Sequence, residues 1–165
     1  MASDQSGFIK IQNSEKLMPQ EEILEIHRHS SNLTVGVPRE IAYQECRLPL
    51  VPQAVGLLIA NGHQVIIETD AGKKAHFEDN DFSAVGAQIV YSPQEVYKAD
   101  LVIKVGPPSP EEIDLMKHRQ TLFSSLHLSG QPRSYFERLS SKKVTAIAFE
   151  FIKDKTGIFP VLRAM

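Results

Sequence analysis

The sequence has little of what would mark a secreted, membrane-spanning or nucleic-acid-binding protein. Its 165 residues include one cysteine, Cys46, so no intramolecular disulfide can form, and a reducing, cytoplasmic setting is favoured. No apolar run approaches the roughly 20 residues of a membrane span, and the N-terminal sequence MASDQSGFIK lacks the features of a signal peptide. With 18 basic and 20 acidic residues, the net charge of −2 offers no basic surface to nucleic acid.

Several motifs of catalysis and cofactor binding are also missing. No two glycines are separated by a single residue, so the glycine-rich fingerprint of a dinucleotide site is absent. There is no phosphate-binding loop and no serine in a nucleophile elbow. No cysteine–histidine pair has metal-binding spacing, and His27 and His29 do not share a helix face, so we expect no metal. If the chemistry uses a nucleotide, its binding domain is expected outside this chain.

What the sequence does contain is the pattern of one α/β domain preceded by an arm. A chain of this length can bury about 70% of the surface that its unfolded form exposes, so it needs no metal or disulfide to fold. Residues 1–32 are polar, and Pro19 followed by QEEILEIHRH predicts one short helix there. Residues 33–165 are predicted to form the domain, which ends on FPVLRAM, an apolar stretch that suggests a fragment of a longer chain.

Within the domain, apolar strands alternate with helices. Prolines open several helices, Gly62 is expected to end the first, and Ser92 and Ser109 each begin a predicted capping box. This alternation predicts a doubly wound, mostly parallel sheet with helices on both faces, Rossmann-like or flavodoxin-like. The predicted strands are 33–37, 64–69, 88–91, 101–105, 121–126 and 144–149, and the predicted helices are 52–61, 80–85, 93–98, 110–117 and 131–141, followed by an apolar segment at 159–162.

Charged and polar side chains follow the predicted strands where a parallel sheet binds its ligands. Arg47 lies on the loop after the first strand, Lys104 interrupts the apolar strand DLVIKVG, His127 follows the fifth strand and Glu150 ends the sixth. Because the carboxyl ends of parallel strands share one edge of the sheet, these groups are expected to converge. An arginine and a lysine suit a small carboxylate, and a histidine beside them can exchange a proton with its neighbouring polar centre.

Each of these residues also has a structural interpretation. A lysine in a buried strand requires an anion, and an internal carboxylate such as Glu150 serves as well as a ligand. Arg47 can form a salt bridge with Glu40 or Glu45, and a lone histidine such as His127 is more often a hydrogen-bonded core residue. The residues alone leave both interpretations open.

A resemblance to a known family favours the ligand-binding interpretation of these residues over the structural one. The segments GVPREI, ECRLPLVP, NGHQVIIETDAG, FEDNDFSAVGAQIV, ADLVIKV, TLFSSLHL and VTAIAFE occur in that order. They closely resemble the N-terminal domain shared by alanine dehydrogenases and nicotinamide nucleotide transhydrogenases, over residues 33–165. By this resemblance Arg47 and Lys104 match the residues that hold the substrate carboxylate, and His127 matches the catalytic histidine of the dehydrogenases. The remaining matches to the family's substrate pocket are Glu150, Leu162 and Met165.

The resemblance implies a two-domain, NAD-dependent enzyme that oxidises L-alanine to pyruvate and ammonium, with this chain as a fragment that forms its substrate-binding half. It also implies a homo-oligomer, a hexamer or a dimer, and a nucleotide domain absent from this chain, which would be inactive alone. Transhydrogenases usually have another residue at the position of His127, so the dehydrogenase is favoured. A transhydrogenase subunit, a non-catalytic module that binds small carboxylates, and more distantly a saccharopine-type dehydrogenase remain the alternatives.

Overall fold

The computed structural model describes residues 32–164, which form a parallel α/β sheet with its helices. The strands are β1 Thr34–Val37, β2 Gln64–Glu68, β3 Gln88–Val90, β4 Leu101–Ile103, β5 Thr121–Ser124 and β6 Thr145–Ala148. The helices are α1 Pro52–Ala60, α2 Asp79–Ala84, α3 Pro93–Val96, α4 Pro110–Leu115, α5 Arg133–Ser141 and α6 Pro160–Ala164, with short 3₁₀ helices at Lys73–Ala75, Leu128–Gly130 and Phe149–Phe151. The predicted arm and its helix lie outside the described residues.

The sheet has the order β3-β2-β1-β4-β5-β6, and every pair of neighbouring strands is parallel. The chain moves outward from β1 to β3, then returns to β4 on the other side of β1. Because parallel crossovers are right-handed, this reversal puts α1 and α2 on one face of the sheet and α4 and α5 on the other. The predicted doubly wound fold is confirmed.

Two apolar clusters fill the space between the sheet and its helices. One is built around β1 and β2 with α1 and α2, where Val37, Val55 and Phe82 are fully buried. The other is built around β4 and β5 with α4 and α5, where Ile113 and Leu122 are fully buried. The strands in the middle of the sheet are therefore buried on both faces, as in other parallel sheets.

Local sequence signals account for most of the element boundaries. Proline occupies a first-turn position in α1, α3 and α4, and Gly62 follows α1 with a φ of +88°, a conformation that glycine adopts readily. The capping box predicted at Ser109 forms, but the one predicted at Ser92 does not. The Ser92 hydroxyl instead contacts the side-chain oxygen of Gln94, so it caps no helical amide.

The predicted strands and helices lie within two residues of the observed ones, and the strand ends show why they differ. The prediction extends β4 to Val105, but the Val105 amide donates to a carboxylate oxygen of Glu40 instead of a neighbouring strand. Likewise the prediction extends β5 to Leu126, whose amide donates to Glu150. Carboxylates from adjacent strand ends thus accept from these two amides, while the Val105 carbonyl still accepts from the Ser125 amide.

Candidate active site

A cavity of about 420 Å³ opens at the carboxyl edge of the sheet, beside the point where the strand order reverses. In open α/β sheets this switch point is the usual place for a ligand. The wall is mostly apolar, and two cationic side chains, Arg47 and Lys104, contribute to it. The other lining residues come from the ends of β4 and β5, from four connections of the sheet and from α6: Leu48, Pro49, Val51, Ala75, Phe77, Ile103, Val105, Phe123, Phe149 and Val161.

Lys104 sits at the floor of this cavity and is only 1% exposed. Its Nζ lies 2.5 Å from Oε1 of Glu112 and 3.7 Å from Oε2 of Glu40. The internal carboxylate proposed from the sequence, Glu150, is therefore the wrong partner, because it is used elsewhere on the same edge. Glu112 and Glu40 thus supply the anionic partners that a buried lysine requires, so a ligand is not needed for that purpose.

Glu112 holds Lys104 and the start of α4 at once. It occupies the third position of α4, where its Oε2 accepts from the amide of Ser109 at 2.8 Å. The Ser109 hydroxyl in turn accepts from the Glu112 amide at 3.2 Å, which completes the capping box. Both carboxylate oxygens of Glu112 thus face a donor, and the side chain is 9% exposed.

Glu40 was not among the site residues predicted from the sequence. It is buried, and its Oε1 accepts from the Val105 amide at 2.5 Å, while Oε2 has no hydrogen-bond donor among the described residues. Burial raises the pKa of Glu40, and the nearby Lys104 charge opposes that rise. Its position in the sequence could have identified it, because Glu40 lies three residues after β1, in a loop at the edge of the sheet where ligands usually bind.

Arg47 forms a bidentate ion pair with Glu45, which lies on the same loop. Its Nε and Nη2 lie 2.9 and 2.7 Å from the two oxygens of Glu45, one of the two structural partners expected for it. This pair lowers the pKa of Glu45 and raises that of Arg47. The Arg47 side chain is 55% exposed, so the guanidinium remains open to solvent at the mouth of the cavity.

His127 and Glu150 lie together on the same edge, but neither lines the cavity. Oε1 of Glu150 accepts from the amides of Leu126 and His127 at 2.9 and 3.0 Å. His127 itself is exposed, has a φ of 47° in the left-handed region, and its Nε2 lies 3.4 Å from the Ser125 hydroxyl. The side-chain hydrogen bonds of Glu150 among the described residues are thus all with the loop that carries His127.

The two apolar residues matched to the substrate pocket fall at the end of the chain. Leu162 lies in α6 and is 47% exposed, while its neighbour Val161 contributes to the cavity wall. Met165 lies outside the described residues. Substrate contacts of these two side chains therefore stay predictions.

The residues of this sheet do not fit a dinucleotide, although its strand order is that of dinucleotide-binding domains. Such domains start a helix directly after β1 with a glycine-rich turn, whereas here residues 38–51, which contain no glycine, separate β1 from α1. No cluster of metal-binding side chains occurs within residues 32–164. None of the helices in this part of the chain has the length and apolar character required to cross a membrane.

Comparisons with known proteins agree with this architecture. An alanine dehydrogenase of Bacillus subtilis is 40% identical over 133 residues, which are 81% of this chain and 35% of that protein. An alanine dehydrogenase 2 of Staphylococcus aureus is 37% identical over 133 residues, 81% of this chain and 36% of that protein. The chain therefore spans about a third of the length of these curated relatives.

Solved structures and a family model extend the comparison. An L-alanine dehydrogenase superposes with a TM-score of 0.75 at 42% identity, covering 79% of this chain and 36% of that one. A transhydrogenase from Sinorhizobium meliloti superposes with a TM-score of 0.68 at 22% identity, over 74% of this chain and 36% of that one, which supports the fold alone. The model of the family "Alanine dehydrogenase/PNT, N-terminal domain" matches residues 36–165. The chain belongs to the family of N-terminal domains found in alanine dehydrogenases and PNT proteins, and the resemblance read from its motifs is confirmed.

Proposed function

We propose that this chain is the substrate-binding part of an NAD-dependent alanine dehydrogenase, which converts L-alanine and water to pyruvate and ammonium while NAD is reduced. The observation that supports this most directly is the single cavity that Arg47 and Lys104 share at the switch point of the sheet. Its size suits a small substrate, and its wall combines two cations with apolar side chains. The nucleotide site is assigned to residues beyond this chain.

In this proposal Lys104 and Arg47 bind the substrate carboxylate. An ammonium group has three N–H donors, and within residues 32–164 Nζ of Lys104 faces the carboxylates of Glu112 and Glu40, so one donor is left for a ligand. Arg47 uses Nε and Nη2 on Glu45, which leaves Nη1 for a second anion. The methyl group of alanine or pyruvate fits the apolar wall formed by side chains such as Phe123 and Phe149.

His127 is assigned the proton transfers that accompany addition of water to the imine. Its side chain is exposed, and its one side-chain hydrogen-bond contact within residues 32–164 is with the Ser125 hydroxyl, so a substrate can reach the ring. Histidine is the side chain that most often performs such proton transfers. General acid–base catalysis of this kind contributes about 10²–10⁴-fold to a rate. We further propose that the enzyme is a homo-oligomer and works in the reducing cytoplasm, where the exposed thiol of Cys46 stays free.

The test is to express the intact gene product that carries this chain and to follow NADH absorbance with L-alanine and NAD at alkaline pH. A rate that depends on alanine supports the proposal. Hydride exchange between two nucleotides without any need for alanine would instead identify a transhydrogenase. Folded protein that binds NAD but shows neither reaction would refute both.

Variants of the same protein assign the residues. Lys104→Ala and Arg47→Ala are expected to raise the KM for pyruvate, and His127→Ala to lower kcat by about 10²–10⁴-fold with little change in KM. Lys98→Ala is the matched control, since Lys98 is exposed and has no ion pair within residues 32–164. If Lys104→Ala behaves like Lys98→Ala, the proposed carboxylate site is wrong.

A further inference from the structure

The charged side chains around the cavity do not by themselves favour binding of a further anion such as a substrate carboxylate. Two cations, Arg47 and Lys104, face three carboxylates: Glu45 on the arginine, and Glu40 and Glu112 on the lysine. Each cation is therefore already neutralised before any ligand arrives. A substrate carboxylate placed beside Lys104 becomes the third negative group around one buried ammonium, and like charges in a buried site favour protonation of one of them.

The hydrogen bonds identify which carboxylate can accept that proton. Glu112 has a donor on each oxygen, Lys104 on one and the Ser109 amide on the other, so both of its oxygens already accept a hydrogen bond. Both oxygens of Glu45 are held by the Arg47 guanidinium. Glu40 differs, because its Oε2 is buried and lacks a hydrogen-bond donor among the described residues, with Lys104 Nζ at 3.7 Å.

We propose that Glu40 takes up a proton when a small carboxylate binds beside Lys104. This inference rests on the proposed function, and it makes Glu40 the residue that adapts the charge of the pocket to its ligand. A protonated Oε2 becomes a donor and no longer repels the ligand carboxylate. Without this change, the ligand would add an uncompensated negative charge to a buried cluster.

The surroundings of Glu40 support a proton on this group. Burial raises its pKa, and Lys104 and the amides of Val105 and Gly106 oppose that rise, whereas Glu112 reinforces it. Two groups on other elements also interact with the Glu40 charge, which contributes to raising the pKa of Arg47 and of the buried Tyr97. Lys74 donates to the backbone carbonyl of Glu40 and not to its carboxylate, so it does not satisfy Oε2.

The test measures protons directly. Pyruvate is titrated calorimetrically into the intact gene product, supplied with NADH, in two buffers of different ionisation heat at several pH values between about 6 and 9. By linkage, the number of protons taken up per pyruvate rises to about one at its maximum, where affinity falls about tenfold per pH unit. Glu40→Gln is expected to bind pyruvate without uptake and with an affinity that no longer depends on pH.

Two controls make the result specific. Glu111→Gln removes an exposed acid from the same end of α4 and is expected to retain the wild-type uptake. Should Glu40→Gln not fold, pyruvamide, a neutral analogue of pyruvate, is titrated into the wild-type protein and is expected to bind without uptake. Pyruvate binding with no proton uptake, or with undiminished uptake in Glu40→Gln, overturns this inference but leaves the proposed function standing. Absence of any pyruvate binding overturns both.

Discussion

Replacing Lys104 by methionine would test the charge network at the centre of this fold. Methionine keeps most of the side-chain volume but removes the ammonium group from two buried carboxylates, Glu112 at 2.5 Å and Glu40 at 3.7 Å. Removing one partner of a buried ion pair costs about 3–5 kcal/mol, because the remaining charge is left without compensation. With a urea m-value of about 2 kcal/mol/M, the unfolding midpoint should fall by about 1.5–2.5 M.

The loss should depend on pH in a defined direction. Without the Lys104 charge that opposes it, burial raises the pKa of the Glu40 carboxyl in the folded state further above its value in the unfolded chain. A carboxyl with a raised folded-state pKa destabilises the protein above its unfolded pKa, near 4.3, and not below it. The difference between variant and wild type should therefore be large at about pH 8 and shrink as the pH falls toward 5.

Urea denaturation at several pH values measures this difference in stability between Lys104→Met and the wild type. Two further variants show whether it arises from the buried charges. Lys98→Met removes an exposed lysine that lacks an ion pair in the described part of the chain, and should change stability by less than about 0.5 kcal/mol. Adding Glu112→Gln to Lys104→Met keeps the capping box but removes one stranded charge, so part of the loss should be recovered. If Lys104→Met is as stable as wild type at pH 8, the assignment of a stabilising buried cluster is refuted.

Three other predictions concern single contacts. Glu150→Ala should lower kcat about tenfold or more in steady-state assays. The Glu150 carboxylate accepts from the amides of Leu126 and His127, and without these bonds the roughly 1–2 kcal/mol cost of the left-handed backbone at His127 is no longer offset. Glu150→Gln should restore the rate, because its one side-chain oxygen can accept from both amides. Gly36→Ala should lower the free energy of unfolding by about 1–3 kcal/mol, because its Cβ would lie 2.6 Å from the Val96 carbonyl oxygen; an unchanged Tm would contradict this. Ser109→Ala should cost about 1 kcal/mol in urea unfolding through loss of the α4 cap, and a loss below about 0.3 kcal/mol would count against it.

The sequence was sufficient for the architecture because local and long-range signals agree. Pro38 ends β1, prolines begin α1, α3 and α4, and each apolar strand is followed by a helix, so the parallel sheet follows with little ambiguity. The last residues of the strands were less predictable. Whether Val105 continues β4 depends on Glu40, which lies 65 residues earlier and reaches its amide only in the folded chain.

In the candidate site, too, some features could be predicted from the sequence and others could not. Strand-end position correctly brought Arg47 and Lys104 to one cavity, since the direction of parallel strands fixes which edge their ends share. Their counter-ions could not be ranked from the sequence, because several acids lie near the same edge and angstrom-scale geometry decides among them. The sequence predicted only a capping box beginning at Ser109, which Glu112 completes, and the second role of Glu112 emerges only when the folded chain brings it to Lys104.

That double role of Glu112 ties two properties that most proteins can vary separately. One oxygen sets the electrostatics of the cavity floor through Lys104, and the other fixes where α4 begins through Ser109. A substitution chosen to change ligand preference at position 104 therefore disturbs the anchoring of a helix, and one chosen to remodel that helix alters the pocket's charge. Substitutions at positions 104 and 112 are therefore expected to act together, so a double variant is the appropriate way to change the charge of this cavity while the helix start is retained.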